Sequence, residues 1–458
     1  MSLGITPSEI VESGNQVLLC KHESWKRVKI LDIANVLNGF AFKSNKFNSS
    51  TGKPIIRIRD VGKKENETYY DGDWEKTYLI KKGDILVGMD GDFRCAIWQG
   101  KNALLNQRVC KIELISKFYN KSFFVYLLQP YLDAINKETS SVTVKHLSSF
   151  TISEIPIPLP PLPEQHRIVA KLEELFSELD SAIEALRKAK DQVKTYKQAV
   201  LKAAFSGKVT IKNEELKINK ETGLPEGWKW VKVGDICNVV RGGSPRPAGN
   251  PKYYDGKIPF LKVADITKDN EIYLKSFQYT IKEAGLYKTR QIKPNTLLLS
   301  NSGATLGVPK ICMIDATMND GIAAFLDLDT RSILYLYYFW LSKTLELRNI
   351  NMGAAQPNLN TSIIKNVEIP YCSFKEQKQI VSEIETRFSE AENLEKTIDL
   401  SLKQAESLRQ SILKKAFEGR LVPQNPDDEP ASLLLDKIKQ EKLRIKNSQL
   451  TIRKGRMK

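Results

Sequence analysis

Few residues of this 458-residue chain are spaced for catalysis. Asp92 with Gln99-Gly100-Lys101 comes nearest to the spacing of a nuclease metal site, but the positions answering to them in the second half of the chain are Ala304, Ile311 and Met313. No catalysis is assigned to it. A methyl-transfer site needs a glycine-rich turn for the donor and an Asn/Asp-Pro-Pro-aromatic loop for the acceptor amine. The nearest strings, Arg241-Gly242-Gly243-Ser244 and Asn250-Pro251-Lys252-Tyr253, do not fit, and no G-x-x-x-x-G-K-[ST] phosphate loop occurs. His22, His146 and His166 lie far apart, and the six cysteines contain no C-x-x-C pair, so neither a local metal site nor a disulfide framework is indicated. What remains is charge. The chain has 70 Lys and Arg against 54 Asp and Glu, a net charge of +16. That surplus points to a polyanion as partner.

Positioning must come from two stretches that repeat one another. Residues 157–208 and 369–420 align without a gap at a constant offset of 212, with Pro158/Pro370, Glu164/Glu376, Gln165/Gln377, Ile168/Ile380, Phe176/Phe388, Gln198/Gln410, Phe205/Phe417 and Gly207/Gly419 identical. Each predicts one long helix. Alternating steps of four and three select Leu172, Phe176, Leu179, Ile183, Leu186, Lys190, Val193, Lys197, Val200 and Ala204 in the first copy. The same steps select Ile384, Phe388, Ala391, Glu395, Ile398, Leu402, Ala405, Arg409, Ile412 and Ala416 in the second. This is the spacing of a coiled-coil seam with charged interruptions. Pro163 and the capping box Ser373-x-x-Glu376 mark the starts, and Gly207 and Gly419 the ends. The expectation is a mutual antiparallel coiled coil of rods about 60 Å long. Leu172, Phe176, Leu179, Ile183, Leu186 and Phe205, with Ile384, Phe388, Ile398, Leu402, Ile412 and Phe417, are the candidates for helix packing or a partner interface.

Taken over residues 164–204 and 375–418, the rods are electrically neutral together, 16 basic against 16 acidic residues, which leaves 54 against 38 elsewhere. The excess charge therefore sits in the globular stretches, and these also repeat. WKRVKILDIANVLNG from Trp25 answers to WKWVKVGDICNVVRGG from Trp228, PIIRIRDV to PFLKVADI, and IKKGDILVGMDG to IKPNTLLLSNSG. These are short strand-like runs punctuated by Gly, Asn and Asp. Each globular part closes on an aromatic helical stretch, from Ser122 and from Ser332. The fold class expected is α+β: two mixed, strand-rich domains separated by two long helices in an internal duplication. The divisions are a leader at 1–24 with a short helix around Pro7–Leu18, a domain at 25–155, a helix at 156–210 and a linker at 211–225. A second domain follows at 226–366, a helix at 367–422, and a tail at 423–458 with a short helix and a basic end. The N-terminal residues lack a signal-peptide pattern and no apolar run reaches membrane-spanning length, so the expected location is cytoplasmic.

Laid out in this way, the chain resembles the specificity subunit of Type I restriction–modification systems. The residues that carry the resemblance are PLPPLPEQHRIVAKLEELF and LKAAFSGKV in the first half, EQKQIVSEIETRF and LKKAFEGRLVPQNPDDEPASLLL in the second, and QPNLNTSIIKNVEIP before the second rod. The first connection, SVTVKHLSSFTISEIP, lacks the QPN. The resemblance implies two target-recognition domains, each reading one half of a bipartite asymmetric site in double-stranded DNA, and paired helices that set the spacer and dock partners. It implies two methyltransferase subunits and, for cleavage, two ATP-dependent restriction subunits. S-adenosylmethionine, ATP and Mg²⁺ are then expected on those partners, with no cofactor or metal in this chain and no enzymatic role for it.

Domains that read different half-sites must differ in their nonrepetitive loops. The candidate readers there are Lys43, Arg57, Arg59, Arg94, Lys145 and His146 in the first domain, and Arg241, Arg246, Lys262, Asn301, Lys310 and Asn358 in the second. Arginine can bond two guanine acceptors at once, and asparagine can do the same for adenine. Two other readings remain open: a two-headed coiled-coil scaffold that binds proteins, and a stand-alone nuclease or methyltransferase with an unfamiliar site. Salt-dependent duplex binding separates the first from a DNA reader; assay of the chain alone with DNA, Mg²⁺ and methyl donor exposes the second.

Overall fold

Both predicted rods are single helices of 44 residues, Leu162–Phe205 and Phe374–Phe417, in the computed structural model of the chain. The structure describes residues 6–13, 17–138, 146–207, 217–303, 305–350 and 359–455. Every seam position in both helices is buried or half-buried. The charged interruptions are accounted for by pairing between the helices. Lys190 Nζ lies 2.5 Å from Asp399 Oδ1 and Lys197 Nζ 3.0 Å from Glu395 Oε2, while Arg409 pairs with Asp180. A long stem covers apolar surface while its charged head meets a carboxylate at the rim, so a Lys or Arg is tolerated on the seam. At both C-termini a glycine, Gly207 at φ 69° and Gly419 at φ 67°, takes the left-handed conformation that closes a helix.

The chain divides into two compact units, residues 1–184 with 402–458, and residues 185–401. Both divisions fall inside a long helix.

In the first unit the strand Lys26–Lys29 pairs antiparallel with Pro156–Leu159, from Lys26 opposite Leu159 to Lys29 opposite Pro156. The stretch expected to be all helix from residue 156 therefore begins with a strand. After one helical turn at Ile30–Ile33 the chain enters a four-stranded antiparallel sheet in the order Ala34–Asn38, Val109–Leu114, Ile85–Gly88 and Cys95–Ile97. A mixed five-stranded sheet completes the domain, with Lys53–Ile56 and Ala103–Leu105 parallel at its centre. The aromatic stretch forms the helix Lys121–Glu138, whose Phe123, Phe124, Leu127, Leu128 and Tyr131 fill a core shared with Ile168, Leu172 and Phe176 of the long helix. Trp25 donates from Nε1 to Glu164 Oε2 at 3.0 Å, tying the domain's first strand to the helix start.

The two chain ends differ from expectation. The leader is a helix over Pro7–Glu12 and a turn at Val17–Leu19, and Ile10 and Leu19 are buried in the first unit's core. The tail's short helix is instead 25 residues long, Ala431–Gly455. Its Leu434 and Ile438 enter the same core, because four-residue spacing puts both on one face. Polar contacts reinforce it: Lys442 Nζ reaches Asp32 at 2.6 Å, Ser116 donates to Glu441 at 2.7 Å, and Arg167 pairs with Asp428 at 2.7 Å.

The second unit repeats the plan. Lys229–Lys232 pairs antiparallel with Glu368–Tyr371, and the turn Val233–Ile236 leads into a five-stranded sheet in the order Asn238–Arg241, Ile322–Leu326, Thr296–Ser300, Pro309–Cys312 and Tyr273–Leu274. Tyr254–Leu261 and Ala316–Met318 run parallel in a second, four-stranded sheet. The aromatic helix is Ile333–Ile350, with Tyr335, Phe339 and Trp340 buried beside Phe205, Ile380 and Ile384. Trp228 Nε1 donates to Glu376 Oε1 at 3.1 Å, the counterpart of Trp25 and Glu164. Among the described residues no helix is long and apolar enough to cross a membrane.

Candidate nucleic-acid interface

One place in each unit combines a repeated backbone with unrepeated side chains. In the first unit, strand ends and loops at Gly39–Phe40, Met89–Gly91 and Asn106–Arg108 meet beside Leu147. Gly39 N–H donates to Val109 O at 3.0 Å, Phe40 N–H to Leu105 O at 2.9 Å, Met89 N–H to Arg108 O at 2.8 Å and Leu147 N–H to Met89 O at 2.7 Å. The second unit makes the same four bonds. Gly242 donates to Ile322 at 2.9 Å, Gly243 to Met318 at 3.1 Å, Asn301 to Gly321 at 2.9 Å and Leu359 to Asn301 at 2.8 Å. The first residue of each set has to be glycine. A Cβ on Gly39 would stand 2.0 Å from the Asn106 carbonyl oxygen, and one on Gly242 2.1 Å from that of Asn319.

The side chains hung on this frame are unalike. In the first unit Phe40, Gln107, Arg108 and His146 are exposed. Asp90 draws the cluster together: its carboxylate lies 2.6 Å from His146 Nδ1 and 3.5 Å from Arg108 Nε, and Arg108 Nη1 stands 3.1 Å from the same ring nitrogen. That nitrogen can donate to Asp90 or accept from Arg108, but not both at once. Arg108 has φ 74°, a left-handed conformation that is strained for any residue with a Cβ, whereas the matching Gly321 of the second unit lies outside that region, so the two turns differ here. In the second unit the corresponding turn carries Asp320 in place of Gln107. Ser244 donates to its carboxylate at 2.6 Å, Arg246 lies 3.4 Å from it, and Arg241 Nε donates to its backbone carbonyl at 2.6 Å. Burial would push the Asp320 carboxyl up, but the Ser244 hydroxyl, a backbone amide and the two arginines hold it below the usual range.

The sequence-predicted residues are scattered over the two units. His146, Arg241 and Arg246 lie on the frame. Lys43, Arg57, Arg59 and Arg94 are exposed but belong to other loops of the first unit; Arg59 donates to Thr68 Oγ1 at 3.1 Å, and Arg94 lines a cleft with Asp92, Gln129 and Asp133. Lys262 is half-buried, with its ammonium 3.4 Å from the centre of the Tyr279 ring. Two assignments are corrected. Asn301 is fully buried, with its backbone spent on the frame. Lys310 is only 2% exposed, because its strand points it inward to Asp269 Oδ1 at 2.5 Å and to the carbonyls of Asp269 and Glu271. Neither side chain is placed to read a base. Lys145 and Asn358 lie outside the described residues.

Sequence reasoning missed Asp90, Arg108 and Asp320. The signal was available in the repeat: Asn106-Gln107-Arg108 answers to Asn319-Asp320-Gly321, one asparagine kept and the two neighbours changed. Of the helix candidates, Leu172, Phe176, Leu179, Phe205, Ile384, Ile398, Ile412 and Phe417 are buried, while Ile183, Leu186, Phe388 and Leu402 are half-buried.

The family described as "Type I restriction modification DNA specificity domain" matches residues 22–190 and 225–404. The chain is 39% identical to the Type I restriction enzyme EcoBI specificity subunit of Escherichia coli, over 96% of this chain and 97% of that one. It is 26% identical to the StySPI specificity subunit of Salmonella potsdam, over 92% and 96%. Among solved structures it resembles a chain from work on complex assembly and conformational transition of the type I R-M system, with a TM-score of 0.65, 20% identity, and coverage of 88% of this chain and 100% of that chain. It also resembles the HsdS subunit from Thermoanaerobacter tengcongensis, with a TM-score of 0.52, 20% identity, and coverage of 87% and 98%.

Proposed function

Given that the chain belongs to the family of Type I restriction–modification DNA specificity subunits, we propose that its two repeated domains, at residues 25–155 and 226–366, each read one half of a bipartite DNA site through the frame described above. The chain is the noncatalytic, sequence-recognising component of such a system. The observation that carries the reading is the pairing of the same four backbone hydrogen bonds with dissimilar polar side chains. Two domains that dock on duplex DNA alike and read different bases need this combination. In the first domain Arg108, His146 and Gln107 are the readers, with Asp90 holding the first two in place. In the second, Arg241 and Arg246 read, with Asp320 holding them. Arg57, Arg59, Arg94 and Lys43 contact phosphates or flanking bases.

The paired helices set the spacer between the halves and dock the methyltransferase subunits; restriction subunits join for cleavage. S-adenosylmethionine, ATP and Mg²⁺ belong to those partners, and the assembly works in the cytoplasm.

Methylation mapping at single-molecule resolution, in cells carrying this chain and its methyltransferase partners, tests the reading. The expected motif has two specified parts and an unspecified gap of fixed length. A contiguous motif contradicts it. Because 54 basic against 38 acidic residues lie outside the rods, affinity of the assembled complex for DNA should also fall steeply with salt, by a log–log slope of about 0.9 per neutralised phosphate. A nearly flat response would favour the protein-binding scaffold.

A further inference from the structure

Each unit contains the same three-part stack where its globular domain meets its helices. In the first, the ring of Tyr126 meets that of Phe176 edge-on at 5.7 Å and 68°, and the Arg409 guanidinium lies 4.6 Å from the Phe176 centroid. In the second, Tyr338 meets Phe388 at 6.0 Å and 87°, with the Lys197 ammonium 5.9 Å from the ring centroid. All three members correspond across the duplication. Each stack takes its tyrosine from the aromatic helix, its phenylalanine from one long helix and its cation from the other. The cations are themselves held, Arg409 by Asp180 and Lys197 by Glu395 at 3.0 Å.

We infer that these two stacks are joints that fix the angle of each reading domain on its helices, and so hold the DNA site to a single spacer length. The inference rests on the two-reader assignment above. The aromatic helices carry the geometry from the joint to the frame. In the first unit Asn136, on the helix that bears Tyr126, donates to the Gly91 carbonyl at 2.8 Å, and Gln129 accepts from Cys95 N–H at 2.7 Å. In the second, Thr344 and Arg348, on the helix that bears Tyr338, donate to the carbonyls of Gly307 at 2.7 Å and Leu306 at 3.1 Å, and Gly307 N–H donates to Ser300 O at 2.8 Å, one residue from Asn301 of the frame. Ten residues separate Tyr126 from Asn136, about 15 Å of helix. A tilt of about ten degrees at the joint would move the frame end of that helix by nearly 3 Å, close to one base-pair step of about 3.4 Å. A stiff joint therefore rejects a neighbouring spacer and a loose one accepts it.

The stack suits this task because it is directional. An edge-on ring pair restricts the angle between two elements, and a cation over the remaining face closes the third side. The two joints are not equal. Arginine can stack its plane on a ring and still pair with a carboxylate, whereas the lysine sits farther out, beside an open cleft lined by Glu385, Glu392 and Glu395. The first joint is the stiffer.

The test is methylation mapping of the full chain with its partners, carrying Arg409→Ala, Arg409→Lys or Lys197→Met. With Arg409→Ala, sites whose gap is one base pair longer or shorter should be methylated, and the preference for the natural gap should fall about fivefold, as expected for loss of a partly desolvated cation–π contact. Arg409→Lys should restore most of it, and Lys197→Met should relax it by a smaller factor. Both half-site sequences should be unchanged throughout. Natural gap preference in Arg409→Ala overturns the joint. Should that variant fail to assemble, natural preference in Lys197→Met overturns it. Changed half-sites would instead count against the two-reader assignment.

Discussion

Leu172→Asp should leave the first unit unfolded at neutral pH. Leu172 is fully buried in a core that also takes in Phe124 of the aromatic helix, Ile168, and Ile412 and Ala416 from the C-terminal turns of the second long helix. Loss of a buried leucine side chain costs about 2–5 kcal/mol, and a carboxylate buried there without a partner costs several more. That approaches or exceeds the 5–15 kcal/mol typical of a domain. Phe176→Asp should be the milder change although the ring is larger, because Arg409 already lies 4.6 Å from the ring centroid and would meet the new carboxylate. The pH response gives a second check. A carboxyl at position 172 has a folded-state pKa raised above its unfolded value, so it destabilises above that range and its cost shrinks as pH falls. Thermal unfolding at pH 7 and pH 5 measures both. An unchanged melting profile at pH 7 would mean that this seam is not the core of the unit.

Lengthening both long helices by one turn should lengthen the gap in the recognised site. Four residues inserted after Glu184 and four after Ser401 fall at the boundary between the units and leave Lys190–Asp399, Lys197–Glu395 and Asp180–Arg409 intact. An insertion a few residues earlier in the second helix, after Thr397, would instead throw Asp399 out of register with Glu395. Four residues add about 6 Å and nearly preserve the 3.6-residue phase. That is close to two base-pair steps of about 3.4 Å. The expected product methylates a site with unchanged halves and a gap longer by one or two base pairs. An active complex that keeps the natural gap would remove the helices from the role of ruler.

The helices were legible in the sequence because two independent signals coincided, a gap-free repeat and a seam of alternating three- and four-residue steps. The reason for the seam's charged members was not. Lys190 and Lys197 find their carboxylates 209 and 198 residues away, and no local pattern announces such a pair. The tail was underestimated because Leu434 and Ile438 read as a short apolar face until the core they enter is known. In the globular domains, strand-like runs were recognisable but the direction of each side chain was not. Lys310 sits in a four-residue strand buried throughout, and residue type alone made it look like a surface cation. The frame was hardest to see. It joins residues near 39, 90, 107 and 146, which sheet topology alone brings together.

Under the two-reader assignment each frame reads one half-site independently. The most direct test is methylation mapping with two single substitutions, Arg108→Ala and Arg241→Ala, in otherwise natural complexes. Each should relax or change specificity by about 1–3 kcal/mol at one position of one half-site, the value of a good bidentate base contact. The half-sites affected should differ between the two variants, with the other half and the gap unchanged. If either substitution altered both halves, or if both altered the same half, the claim of two independent frames would be wrong.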